Sequence, residues 1–279
     1  MSAESSGVLY VVGTPIGNLG DLSSRARSVL GAVDLIAAED TRRTRGLLSS
    51  INLNTTLIAY HEHNEQRQTP ALIARLRQGE SLALVSDAGM PSISDPGLRL
   101  VRAALADKLP VVSVPGPSAA MAALTICGLA TDRVVFEGFL PRRSGPRRRR
   151  LEVLLTESRT MVFYEAVHRV AATLEALQEL FGPDRPAAIA RELTKLHERV
   201  YTGSLAELRS QLGDEIPLRG EFVLLVAGGD DACSASATEA QRIFAILSNE
   251  LSAKAAVALT AEITGLRRND VYRLTRVPD

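Results

Sequence analysis

Three apolar runs in this chain each end in a glycine- or proline-rich turn that leads into a helical pattern. Val8–Val12 runs into Gly13-Thr14-Pro15-Ile16-Gly17-Asn18. Leu82–Val85 runs into Ser86-Asp87-Ala88-Gly89-Met90-Pro91. Val111–Val114 runs into Pro115-Gly116-Pro117-Ser118-Ala119-Ala120. Strand, turn and helix in that order build an open α/β sheet, and the loops leaving the carboxyl ends of its strands form the ligand crevice. Glycine there lets the backbone take positive φ or approach a ligand closely. Three such loops predict one bound small molecule. None reads G-x-G-x-x-G or G-x-x-x-x-G-K-[ST], so neither a dinucleotide site nor a P-loop is expected.

The chain has 279 residues, of which 46% are hydrophobic and 23% charged. That length and composition predict a globular protein of two domains. No apolar stretch approaches the roughly 20 residues that span a bilayer. Met1–Gly7 is polar, without the basic and apolar regions of a signal peptide. Cys127 and Cys233 are the only cysteines and lack C-x-x-C spacing, which fits a reducing cytoplasm rather than a disulfide framework or zinc site. His61 and His63 are two apart and would share a face on a strand. No further ligand completes a metal set at the usual spacing, so no metal is expected.

The 32 basic residues balance 32 acidic ones, which excludes a globally basic nucleic-acid binder. Only Lys108, Lys195 and Lys254 are lysines; the other 29 basic residues are arginines. Arginine forks onto phosphate and stacks on bases. Arg142, Arg143, Arg147, Arg148, Arg149 and Arg150 crowd around Ser144-Gly145-Pro146. The stretch reads as a mobile basic loop, either a solvated charge run or an RNA-binding surface. Arg42, Arg43 and Arg45 form a smaller cluster.

The first half alternates regularly. Strands are expected at 8–12, 34–38, 56–60, 81–86 and 110–114, with helices at 22–31, 42–49, 67–78, 95–107 and 117–127 between and after them. Asp21 is the expected N-cap of the first helix, and Gly79 the stop after the third. This alternation predicts a mainly parallel sheet covered on both faces. Beyond the Pro115–Ser118 turn the pattern changes. Strands at 133–139, 160–165, 187–193, 198–202 and 221–227, with helices at 147–157, 168–181 and 204–212, predict a second α/β domain with a mixed sheet. The division is therefore 1–117, 118–230 and a helical tail, 238–279. The small polar stretch 231–237 reads as a linker. Helices at 238–249 and within 252–275, with a tight turn at Gly265, resemble a helix-turn-helix. Arg267, Arg268, Arg273 and Arg276 would lie on its second helix.

Further runs stand out: Ala38-Glu39-Asp40-Thr41-Arg42, His63-Asn64-Glu65, Phe163-Tyr164-Glu165 with His168-Arg169, Ala190-Arg191-Glu192-Leu193-Thr194-Lys195, and Arg219-Gly220-Glu221-Phe222. With the three loops and Ser94-Asp95-Pro96-Gly97, they closely resemble the ribosomal RNA small subunit methyltransferase I family of the tetrapyrrole-methylase superfamily. The resemblance runs from Val8 to Val226, and the tail resembles the family's C-terminal helical domain. Met90 stands where the family usually carries threonine, which removes one hydroxyl contact.

The resemblance implies two α/β domains with S-adenosyl-L-methionine in a cleft between them, and a homodimer. It implies 2′-O-methylation of a cytidine ribose in the decoding region of small-subunit (16S) ribosomal RNA, in the cytoplasm. By the same analogy the cofactor touches Pro15, Asp87, Ala88, Gly89, Met90, Ser118 and Ala119, together with Phe163, Tyr164, Gly220, Glu221 and Phe222. A ribose hydroxyl needs a base or a charge that stabilises the alkoxide. Glu39, Asp40, Glu165, Glu192 and Lys195 are the candidates. Asp40 could equally cap the following helix, and Glu192 could form a structural ion pair. Arg42, Arg43 and the Arg142–Arg150 stretch are the candidate RNA contacts. Two alternatives remain open at this point: methylation of a small tetrapyrrole, and a non-catalytic RNA-binding assembly factor.

Overall fold

In a computed structural model of the chain, residues 6–229 and 231–275 are described. The molecule divides into two compact units. Met1–Ile126 with Ala190–Val200 form one, and Cys127–Ile189 with Tyr201–Asp279 form the other.

In the first unit, β1 (Leu9–Val12), β2 (Leu35–Ala38), β3 (Leu57–Ala59), β4 (Leu82–Val85) and β5 (Val111–Val114) make one sheet in the order β3-β2-β4-β1-β5. Every pairing in it is parallel. Burial follows that order. All four residues of β2 and of β4 are buried, whereas β3 and most of β5, at the edges, are only partly so. A central parallel strand with both faces covered is apolar at every position, which is why these runs do not alternate. The helices are α1 (Ser24–Ala32), α2 (Thr41–Ser50), α3 (Glu65–Arg77), α4 (Leu98–Ala106) and α5 (Ala119–Ile126). Ser23, rather than Asp21, caps α1, accepting from the Ala26 N–H. Asp21 ends a short 3-10 turn, Leu19–Asp21, whose own cap is Asn18. Gly79, at φ +92°, follows the end of α3, as its stop role requires. His61 and His63 lie in the turn between β3 and α3, not on a strand.

In the second unit, β6 (Val134–Phe139), β7 (Thr160–Ala166), β8 (Pro186–Arg191), β9 (Arg199–Ser204) and β10 (Glu221–Val226) form a mixed sheet in the order β6-β7-β10-β8-β9. β6 runs parallel to β7, with a bulge between Phe136 and Gly138, and β10 runs antiparallel to β7. The helices α6 (Ser144–Val153), α7 (Val170–Phe181) and α8 (Leu205–Ser210) complete it. Leu151, Phe163, Leu174, Leu177, Leu205, Phe222 and Leu224 meet in its core.

The arginine-rich stretch is no loop, because Ser144–Val153 is the helix α6. Proline and glycine signalled a break, but proline is tolerated in the first helical turn, where backbone N–H groups have no intrahelical partner. The expected linker at 231–237 lies inside α9 (Asp231–Leu247). Alanines interleaved with small polar residues carry enough helix propensity to continue a helix. After α9 come α10 (Ala253–Thr264) and α11 (Arg268–Thr275). Gly265, left-handed at φ 72°, ends α10, and Val257, Ala261 and Val271 form a small core with Phe244 and Tyr272. Arg276 lies outside the described residues. Among the described residues no helix is long and apolar enough to cross a membrane.

Candidate functional site

The loops after β1, β4 and β5 meet backbone to backbone. Thr14 and Gly89 exchange hydrogen bonds, Thr14 N–H to Gly89 O at 2.9 Å and Gly89 N–H to Thr14 O at 3.1 Å. The buried Thr14 hydroxyl donates to Ser86 O at 3.1 Å. Gly13 N–H donates to Val114 O at 3.0 Å. A Cβ at Gly13 would lie 2.7 Å from Gly116 backbone and 2.6 Å from Met90 Sδ, so only glycines let these two turns touch. Gly89 sits at φ +81°, where a side chain is strained. Pro15, Asp87, Ala88, Gly89, Met90, Ser118 and Ala119 are thus brought together by three neighbouring strands. Met90, in place of the family's threonine, packs its thioether over this junction.

The loop after β2 joins them. Asp87 N–H donates to Glu39 Oε2 at 3.1 Å, and Asp40 N–H donates to Asp87 Oδ1 at 3.0 Å. Arg43 lies 3.4 Å from Asp87 Oδ2. Asp40 is the N-cap of α2, accepting from Arg42 N–H at 2.8 Å. Its carboxylate is also forked by the Arg42 guanidinium, at 3.1 and 2.7 Å. Those bonds hold Asp40 far below the usual carboxylate range. A carboxylate so stabilised is a poor proton acceptor, and the geometry gives Asp40 its capping role.

Beside this junction lies a cavity of about 380 Å³ lined by Glu39, Glu62, Glu65, Ser94, Asp95 and Gly97, among others. Burial, followed by the charges of Glu39 and Asp87, pushes the Asp95 carboxyl up to about 6, against a Ser86 hydrogen bond that favours the ionised form. In the sequence the Ser94–Gly97 run stands out, but nothing in it sets Asp95 apart; the burial that makes the group distinctive appears only on folding.

Lys195 also belongs to the first unit. A Cβ at Gly17 would collide with its side chain, so Lys195 lies over the β1 loop. Its ammonium pairs with Glu192 at 2.9 Å. Glu192 and Thr194 both take positive φ, 53° and 65°, an unfavourable backbone for residues other than glycine.

In the second unit, Phe163 and Phe222 turn their rings into the core, while Tyr164 stacks edgewise on Phe136 and Phe139. Gly220, at φ +88°, enters β10, and Glu221 pairs with Ala166 across β7. Glu165 is not an available base. Its carboxylate is fully buried, 3.1 Å from Arg169, and accepts from the Thr173 hydroxyl at 2.7 Å.

The acidic side chains at these loop ends concentrate negative charge in the first unit. Glu39, Asp87 and Asp95 stand beside the three-loop junction, with closely packed backbone next to them. Among the described residues no group of three histidine, cysteine or acidic side chains could hold a metal ion.

The comparisons with known proteins agree with this architecture. The family described as Tetrapyrrole (Corrin/Porphyrin) Methylases matches residues 8–209, and the RsmI C-terminal HTH domain matches residues 234–275. The chain is 52% identical to the ribosomal RNA small subunit methyltransferase I of Xylella fastidiosa (strain Temecula1), over 96% of this chain and 99% of that one. It is 48% identical to the Pseudomonas aeruginosa protein of the same name, over 96% of each. Uroporphyrin-III C-methyltransferase of Thermus thermophilus, solved with S-adenyl homocysteine, aligns at a TM-score of 0.55 and 18% identity, covering 79% of this chain and 97% of that one. The chain therefore belongs to the tetrapyrrole methylase family, among the ribosomal RNA small subunit methyltransferases I.

Proposed function

We propose that this chain transfers the methyl group of S-adenosyl-L-methionine to the ribose 2′-oxygen of a cytidine in the decoding region of small-subunit ribosomal RNA. The observation that carries the reading is the acidic three-loop junction of the first unit, in a chain matched almost end to end by relatives named as small-subunit ribosomal RNA methyltransferases. When bound, the cofactor supplies an electrophilic methyl on a cationic sulfonium.

The residues that would hold it are Pro15, Asp87–Met90, Ser118 and Ala119, through loop backbone and the Asp87 carboxylate. The loops are fixed to one another before any ligand arrives, so little ordering is left for binding to supply. Alignment of the acceptor oxygen behind the methyl then provides much of the rate. Methylation of the acceptor oxygen would require its hydroxyl proton to be taken up. Asp95 is the proposed acceptor of that proton, since a carboxylate titrating near 6 is a stronger base than an ordinary one and is still ionised at neutral pH. Glu39 steadies the β4 loop, and the Glu192–Lys195 pair places a cation over the β1 loop. Phe163, Tyr164 and Gly220–Phe222 remain cofactor contacts on the family resemblance. A cytoplasmic homodimer belongs to the same proposal.

The test is transfer of label from S-adenosyl-L-methionine to unmethylated small ribosomal subunits, with a porphyrinoid acceptor in parallel. Label in the RNA and none in the porphyrinoid supports the reading. Label in the porphyrinoid alone replaces it with small-ring methylation.

A further inference from the structure

Of the six arginines around α6, two are paired within the protein. Arg148 pairs with Glu152 and Glu179, each at 3.3 Å, and Arg150 forks onto Glu137 with two contacts of 2.7 Å. Their charges are spent within the protein. Arg147 differs. It is 8% exposed, its Nε is buried without a hydrogen-bond partner, and no ion pair reaches its guanidinium among the described residues. A buried charge is costly to fold around unless something pairs it.

Its surroundings favour an anion. α6 begins with Arg143 as an N-cap that makes no side-chain bond, and its first turn holds no acidic residue. Arg147 stands directly after that open turn: its own N–H makes the bond to Arg143 O at 3.0 Å. Arg149 reaches toward the turn on another side of the helix, its Nη1 lying 3.7 Å from where a Cβ on Gly145 would sit. Open backbone N–H groups at a helix N-terminus bind phosphate, and the guanidinium fork fits phosphate oxygens.

We propose that Arg147, with the first turn of α6, is an anion site that takes one phosphodiester of the RNA substrate. It rests on the rRNA reading above and narrows the basic cluster to one anchoring residue. Arg148 and Arg150 hold the helix in place instead.

The experiment compares the full-length wild type with Arg147→Met, Arg147→Lys and Arg150→Met. Melting is followed with and without inorganic phosphate, and binding to small ribosomal subunits is followed across a salt series. S-adenosyl-L-methionine binding reports folding. Arg147→Met is expected to melt no lower than wild type in phosphate-free buffer, because it removes a largely buried guanidinium whose Nε has no partner. It should lose the phosphate-induced rise in Tm and bind subunits about 10-fold more weakly. Its slope of log affinity against log salt should be shallower by about 0.7–0.9, the value of one phosphate contact. Arg147→Lys, with charge but no fork, should fall between the two, and Arg150→Met should keep the wild-type phosphate response. A lower Tm for Arg147→Met without phosphate, or unchanged subunit binding, would overturn the proposal. A phosphate response lost with subunit binding intact would assign the site to free phosphate and reject the RNA source. If wild type methylates no RNA while Arg147 still governs the phosphate response, the methyltransferase reading fails and the anion site stands.

Discussion

Glu39 accepts a hydrogen bond from the backbone N–H of Asp87, at 3.1 Å. That bond ties the loop leaving β2 to the loop leaving β4, and the Asp87 carboxylate returns the tie by accepting from Asp40 N–H. Glu39→Ala cuts the first strut and leaves the Asp87 N–H without its partner. S-adenosyl-L-methionine binding should weaken about 10-fold, the effect of one partly buried donor left unmet. Glu39→Gln keeps an acceptor oxygen and should restore most of the affinity in equilibrium dialysis. Equal affinity for all three proteins would show that the strut does not organise the site.

Asp95 predicts a pH signature. Its carboxyl titrates near 6 in the folded protein against 3.8 as its ordinary value. Between those values the folded state binds more protons than the unfolded one, so this group's contribution to stability falls as pH rises. Asp95→Asn should therefore raise Tm at pH 7.5 relative to wild type, with the gain shrinking toward pH 5. Because the group is partly solvated, the gain is on the order of 1 kcal/mol after screening, or about 2–4 °C. The same variant should lose about 100- to 10,000-fold in kcat, along with the acid limb of the rate profile near pH 6. A normal profile in Asp95→Asn would remove Asp95 from the chemistry.

Gly116 and Gly13 pack with no room for a side chain. A Cβ at Gly116 would stand 2.8 Å from Gly13 backbone, which cannot swing aside as a side-chain end could. Gly116→Ala should cost about 1–3 kcal/mol by overpacking and lower cofactor affinity as well, because it pushes two site loops apart. Calorimetry and dialysis on the same sample read both effects. Gly128→Ala is a control in open space, though its φ of +71° carries backbone strain; it should lower Tm without changing cofactor affinity.

Glu165 is a structural residue by the same kind of evidence. Removing one partner of a buried ion pair strands the other, at about 3–5 kcal/mol. Glu165→Ala should lose much of the protein's thermal stability. Any surviving activity at low temperature should keep the wild-type pH dependence. A shifted pH profile in this variant would return Glu165 to the candidate bases.

Much of this was legible in the chain. The five parallel strands announce themselves because β2 and β4 are apolar at every position, which only a doubly covered strand tolerates. The glycine turns after β1, β4 and β5 were visible as strand-end turns, which the fold packs against one another, and Gly265 marked the turn between the last two helices. What escaped the sequence depends on long-range contact. That Asp40 caps α2 and is forked by Arg42 appears only in the fold. Glu165 reads as one more acidic residue until Arg169 and Thr173 close over it. Asp95 is one carboxylate among 32 acidic residues until folding desolvates it beside Glu39. The arginine cluster looked like a single basic loop, but glutamates far away in sequence neutralise two of its members and leave Arg147 unpaired.

The most direct measurement is to incubate the purified protein with unmethylated small ribosomal subunits and labelled S-adenosyl-L-methionine, then map the product by mass spectrometry of nuclease fragments. The account predicts one 2′-O-methylated cytidine in the decoding region, formed at least about 100-fold more slowly by Asp95→Asn at the same protein concentration. Methyl groups on a base rather than a ribose, or no incorporation by a protein that binds the cofactor, would contradict it.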